Sequence, residues 1–363
     1  MSSLVKQFRE TRSKYGTLYA LARLRNFLIS ALKLRLHSRR VSFHNRRIGE
    51  AENRTRRDRI VVVGNGPSLN KLPLHLLAGQ DVFVSNNFHL MFPRIAWRPR
   101  FMAVSDAYVL IESHSKIVEH AKCYERIYVP AMHASNVDSY KLYEKLDNSY
   151  FYNVMPHPKV PDLAYIPINK TVTNFMLGIA ARLGYREVLF IGVDLSYPSV
   201  NHYDQSKRII KSQRDDVDHF SPEYFNKGKH FHAPEVDEMR NQIRLTIERL
   251  NGIRFRNIGI GGRLDFIERA SFRSALEIDE ETEIRLLREH LLYRLPQLMP
   301  DADHDRLAGE IIKCLLEYRK SPHVPQQPPL GISLYPVEEE SAKMPGDLIA
   351  ADALGFDIQA NKP

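Results

Sequence analysis

The stretch Arg59-Ile60-Val61-Val62-Val63-Gly64-Asn65-Gly66-Pro67-Ser68-Leu69 decides the fold. Four consecutive β-branched residues make a short strand covered on both faces, as in a parallel sheet. The run ends in two glycines and Pro67, whose ring holds φ at about −65° and removes an N–H, which suits the first turn of a helix. The reading is therefore strand, loop, helix. Glycine lets the backbone approach a ligand closely, and a helix start offers free N–H groups and a positive dipole end to phosphate. Asn65 and Ser68 add side-chain hydrogen bonds. A plain β-to-α turn with Ser68 as cap accounts for the same residues without any ligand.

Outward from this turn, extended runs at 81–85, 101–105, 126–130, 149–154, 187–193 and 253–258 alternate with helical patterns, clearest at 171–183 and 234–250. The alternation predicts an α/β fold: a Rossmann-like, mostly parallel sheet with helices on both faces, in a nucleotide-binding catalytic domain over 58–276. Residues 1–57 read as a basic helical arm, with Gly16 breaking it into two helices. Residues 277–320 read as C-terminal helices, near 280–295 and 301–320, and 321–363 as a Pro-rich flexible tail. At 363 residues, 43% hydrophobic and 26% charged, the chain can bury a full core.

The net charge of +9 is concentrated before residue 60. Leu4, Phe8, Leu18, Leu21, Leu28 and Leu32 recur at helical spacing among Arg9, Arg12, Arg23, Arg25, Lys33 and Arg35. Such an arm suits an anionic membrane surface, through residues 1–50, or packing on the protein's own body or on a second subunit in a homo-oligomer. As a membrane foot it should be removable without loss of activity on a soluble acceptor. No zinc finger, RNP-type motif or aromatic-interleaved basic run points to nucleic acid. No secretory signal and no apolar run of about 18 residues is present, so a cytoplasmic protein, peripheral at most to the inner face of the membrane, is expected. Cys123 and Cys314 stand far apart without a CxxC partner, which leaves no disulfide framework or cysteine zinc site.

Polar residues cluster where strands end, the place at which open α/β sheets bind ligands. Asn86 and Asn87 follow one strand, Asp106 another and Asp194 a third. Thr171 and Thr173 open a helix, as anion partners or as ordinary caps. The segment holding Tyr197, His202, Tyr203, Asp215, Asp216, Asp218, His219, Tyr224, Lys227, Lys229 and His230 reads as a long functional lid. A histidine beside carboxylates can serve as general base, and phenols can donate to a departing phosphate. His219, His230 and His232 with Asp218 lack HExxH-type zinc spacing, so no metal site is assigned. Neither GxxxxGK(S/T) nor GxSxG occurs, which disfavours P-loop kinases and α/β-hydrolases.

The segments GNGPSL at 64–69, DVFVSNNF at 81–88, ARLGYREVLFIGVDLSY at 181–197 and the histidine of DHF at 219 occur in the order that resembles two families. One is the bacterial sialyltransferases that build lipooligosaccharide, glycosyltransferase family 42. The other is the MptE-like family, related to 6-hydroxymethylpterin diphosphokinases. The first resemblance implies a metal-independent glycosyltransferase with a CMP-activated sugar as donor, no required cofactor, and a glycan or lipid-linked acceptor. It implies cytidine and ribose contacts from Asn65, Ser68, Asn86 and Asp106, and Gly64, Gly66, Asn87, Thr171, Thr173 and Asp194 join the nucleotide-binding set from their places in the glycine turn and at strand and helix ends. Tyr197 and Tyr203 would hold the leaving phosphate, and His219 would deprotonate the acceptor. Asn169 and Val172 stand where that family carries Arg and Ser on the acceptor side. The second resemblance implies diphosphate transfer from ATP with Mg²⁺ held by Asp194 and Asp106 or Asp218. A non-catalytic nucleotide-binding scaffold is the reading from outside the enzymes.

Overall fold

The computed structural model describes residues 2–48, 58–155, 163–199 and 209–320. Tyr203 and the tail at 321–363 lie outside them. At the centre is an eight-stranded sheet in which every pairing is parallel. Its strands are β1 (Arg59–Val63), β2 (Val82–Ser85), β3 (Phe101–Ala103), β4 (Arg126–Pro130), β5 (Ser149–Tyr152), β6 (Glu187–Ile191), β9 (Arg254–Asn257) and β10 (Glu268–Arg269). The spatial order is β10-β9-β6-β1-β2-β3-β4-β5. Alternate residues of β1 feed different cores, Val61 and Val63 on one face and Ile60 and Val62 on the other. This explains why its sequence shows no polar alternation.

One face carries α6 (Val172–Arg182) and α7 (Val236–Arg249), through Phe175, Ile179 and Ile243. The other carries α3 (Ala107–Glu112), α4 (His114–Glu119), α5 (Ser139–Tyr143), α8 (Phe272–Leu276) and several 3₁₀ turns. The C-terminal pair, α9 (Glu280–Leu298) and α10 (His304–Lys320), closes on its own leucine cluster. Tyr293 donates to the Phe92 carbonyl at 2.9 Å and ties the pair to the body.

The arm is two helices, α1 (Ser2–Tyr15) and α2 (Thr17–Ile48), with Gly16 at φ +84° between them. It is not a detachable foot. Asn45 donates from Nδ2 to the Phe151 carbonyl at 2.8 Å and accepts from the Phe151 N–H at 3.0 Å. One side-chain amide thus stands in for a neighbouring strand and satisfies the exposed rim of β5, the edge of the sheet. Ser30, Leu34, Ser38, Val41 and His44 are buried along the same helix face. The packing expected as the alternative to membrane contact is present, and removing residues 1–50 would uncover a sheet edge.

Candidate functional site

The chain builds β2 to β5 on one side of β1 and then returns to lay β6, β9 and β10 on the other. Loops leaving β1 and β6 meet at this switch point, where a ligand crevice is expected. The Gly64 N–H donates to the Ile191 carbonyl and that of Gly66 to the Gly192 carbonyl, each at 2.8 Å. A Cβ on Gly64 would lie 2.2 Å from the Gly192 oxygen, and one on Gly66 2.2 Å from Asp194 Oδ2. The close approach in this structure is to the β6 loop. Pro67 opens only a 3₁₀ turn, Pro67–Lys71, instead of the expected helix. Its start is filled by Asp194, which accepts from the Ser68 N–H at 2.9 Å and the Ser68 hydroxyl at 2.5 Å. Burial pushes the Asp194 carboxyl up, against the pull of the two Ser68 hydrogen bonds. Ser68 and Asp194 therefore clamp the two loops together.

Among the described residues the side-chain amide oxygens of Asn65, Asn86, Asn87 and Asn174 are buried without a hydrogen-bond partner, and two of these residues, Asn65 and Asn86, line the cleft. Asn65 donates from Nδ2 to Ser85 Oγ at 2.9 Å, and its Oδ1 is buried without a hydrogen-bond partner. Asn86 turns the chain at φ +54°, and its Oδ1 is equally buried and unpartnered. Both residues line a cleft of about 1690 Å³. Asn87 points elsewhere: it is buried and donates to the Tyr224 carbonyl at 3.2 Å. It latches the lid and does not line the cleft.

Over 209–232 the segment expected as a lid carries regular structure. Strands β7 (Ile209–Lys211) and β8 (His230–His232) pair antiparallel at its base. Asp216 is its hub, accepting from the Phe225 N–H at 3.0 Å and paired with His219 Nδ1 at 2.8 Å. A carboxylate beside Nδ1 fixes the tautomer that leaves Nε2 as the basic nitrogen. The His219 ring stacks on buried Tyr224, with centroids 4.0 Å apart and planes 2° from parallel, and Tyr197 meets it edge-on at 6.0 Å. The Phe220 N–H donates to the Asn65 carbonyl at 3.0 Å, so His219 and the glycine turn share one cleft.

A second imidazole–carboxylate pair faces the same cleft, and the sequence reading missed it. His232 Nδ1 lies 3.0 Å from Asp106 Oδ2. Asp106 Oδ1 meanwhile caps α3, accepting from Tyr108 N–H at 2.8 Å and Val109 N–H at 3.1 Å. Burial alone would raise the Asp106 carboxyl, but the His232 hydrogen bond and charge hold it below its ordinary value. Asp106, expected to touch the nucleoside, lines the cleft and also holds the His232 imidazole. The usable signal was the alternation His230-Phe231-His232, which in a strand sets both imidazoles on one face. His219, His230 and His232 pair with three different carboxylates, Asp216, Glu112 and Asp106. No group of three or more metal-ligating side chains occurs among the described residues.

The start of α6 also enters the cleft. Thr171 caps it, accepting from the Thr173 N–H at 3.3 Å, and Thr171, Val172 and Thr173 all line the cleft. Just before it, Asn169 and Lys170 both adopt positive φ, +43° and +73°. Two consecutive non-glycine residues in that region are strained, a feature concentrated at functional sites. On the rim, Glu235 joins Lys14 of α1 at 2.6 Å and pairs with Lys170. Burial of Tyr197 raises its phenol well above the ordinary range and keeps it a hydrogen-bond donor.

No family model and no curated protein matches the chain. Among similar solved structures, the sialyltransferase CstII from Campylobacter jejuni, in complex with cytidine-5'-monophosphate, is 13% identical with a TM-score of 0.35, over 60% of this chain and 86% of that one. The monofunctional α-2,3-sialyltransferase Cst-I from the same organism is 15% identical with a TM-score of 0.35, over 60% and 81%. The MAf glycosyltransferase from Magnetospirillum magneticum is 14% identical with a TM-score of 0.39, over 77% of this chain and 51% of that one. Likeness at this level assigns no activity, and the chemistry of the cleft rests on its own geometry.

Proposed function

We propose that the cleft binds a nucleotide-activated sugar, with CMP as the nucleotide, and transfers the sugar to a hydroxyl of a glycan or lipid-linked acceptor. The observation that carries this reading is the pairing of carboxylate-oriented imidazoles with unpartnered amide oxygens in one cleft at the sheet's switch point. A buried acceptor without a donor costs about 1–3 kcal/mol. Asn65 Oδ1 and Asn86 Oδ1 are accordingly suited to the amino and hydroxyl donors of a nucleoside. The α6 start and the Tyr197 phenol face the phosphate, in the role a divalent cation fills elsewhere. His219 Nε2 takes the proton of the acceptor hydroxyl. The freed oxygen attacks the anomeric carbon, whose bond to the phosphate oxygen breaks, and the electron pair leaves with CMP.

Thermal shift against CMP, CDP, UDP, GDP and ATP, with and without Mg²⁺, tests the donor. At 100 times its dissociation constant the right nucleotide stabilises the fold by about 2.7 kcal/mol. A response to ATP with Mg²⁺ and none to CMP would replace this reading with diphosphate transfer. His219→Ala is expected to lower turnover about 10²–10⁴-fold. Retained turnover there, with loss in His232→Ala, would move the base to the second pair.

A further inference from the structure

Helix α2 has a second face that nothing among the described residues covers. Leu18, Leu21, Leu28, Leu32, Leu36 and Phe43 are 84, 49, 55, 60, 69 and 60% exposed. Their steps of three, four and seven residues are near-whole turns, so they form one stripe opposite the buried face. From Leu18 to Phe43 the stripe runs roughly 38 Å at 1.5 Å per residue. Monomer surfaces rarely leave so long a row of large apolar side chains without a partner. Arg25, Arg35, Arg39, Arg40, Arg46 and Arg47 are exposed within and beside it. The 32 residues of the helix contain no Asp or Glu.

Two kinds of surface accept a leucine stripe, another helix or a lipid layer. A second copy of α2 would set arginines against their own counterparts, with no carboxylate on either helix to separate them. Lipid phosphates supply that missing charge, and arginine stems are long enough to reach them while the leucines sink. From this charge complementarity we propose that α2 docks on an anionic lipid surface, its axis in the plane of the layer and its leucines at the headgroup–acyl boundary. Tyr19, Arg23 and Phe27 of the same helix border the cleft, so docking brings the cleft's rim to the lipid. The proposal stands on α2 alone and holds whether or not the cleft transfers a sugar.

The full chain is floated with phosphatidylcholine vesicles with and without phosphatidylglycerol, over a range of NaCl. Binding is expected only with the anionic lipid and should weaken as salt rises. Two triple variants are compared, Leu21→Gln with Leu28→Gln and Leu32→Gln, and Arg35→Gln with Arg39→Gln and Arg46→Gln. All six positions are exposed, so circular dichroism and the unfolding midpoint should match the parent. Losing three arginines should weaken partition on the order of 100-fold, and the leucine variant should also lose binding. Absent or charge-independent binding of the parent overturns the proposal, as does parental binding in folded variants. So does a dimer in light scattering that the leucine variant makes monomeric, since the stripe is then a chain-to-chain interface.

Discussion

At the scale of single residues, the glycine turn is legible in the sequence but its purpose is not. Gly66 is glycine because Asp194 lies where its Cβ would be. Gly66→Ala should push Asp194 off Ser68 and cost about 2 kcal/mol, read as a lower denaturant midpoint; an unchanged midpoint would show that the carboxylate moves freely. His219 could be picked out because its partner Asp216 sits three residues away. For His232 the alternation with His230 sets the imidazole on one face, but its partner Asp106 could not be read, because it lies 126 residues away and only the folded β8 brings the two together. Asp216→Asn removes the carboxylate that orients His219. Under the proposed mechanism turnover should fall on the order of 10²–10⁴-fold, with altered pH dependence, while nucleotide binding by thermal shift is kept. Equal activity in that variant would show that His219 needs no orienter.

Among elements, buried strands are the clearest in the sequence because burial on both faces selects β-branched and aromatic runs. The expected strand at 126–130 matches β4 to the residue, and Gly192 at φ +62° ends β6 two residues earlier than expected. The hairpin β7–β8 was illegible, since three-residue strands over a cleft carry little apolar pattern. The Glu235 clasp between α1 and α7 is likewise a product of tertiary structure. Burial would raise that carboxyl, but hydrogen bonds from Lys14 and Lys170 bring it to about 2. Because the folded value lies below the ordinary 4.5, the clasp is intact above that pH and is lost as pH falls towards about 2. Amide exchange in α1, corrected for intrinsic rate, should accelerate across this window. Glu235→Gln should show the same loosening at neutral pH. Constant protection through the window would mean that the α1–α2 contacts suffice without the clasp.

For the molecule as a whole, the doubly covered parallel sheet follows from the alternation of strands and helices, whereas the arm's integration does not. Composition marked residues 1–57 as basic and helical, but only the folded contacts of Asn45 with Phe151 and of His44 with Ser149 show that α2 finishes the sheet. A chain beginning at residue 58 should therefore aggregate or melt at lower temperature; an equally soluble and stable product would show the edge to be self-sufficient. The buried Arg100–Asp81 pair, 2.9 Å apart, sits beneath the strands' amino ends with Tyr185 on the same carboxylate. Asp81→Ala leaves the guanidinium short of a buried partner and should cost about 3 kcal/mol in unfolding free energy.

The Asn45–Phe151 contact also imposes an order on biosynthesis. Its partners are 106 positions apart, and the amide leaves the ribosome first. At about 5–20 residues per second, α2 waits roughly 5–20 s before the strand it must seal has been made. Through that interval the inner face of the helix has no sheet to seal, so the edge contact can form only after β5 has emerged.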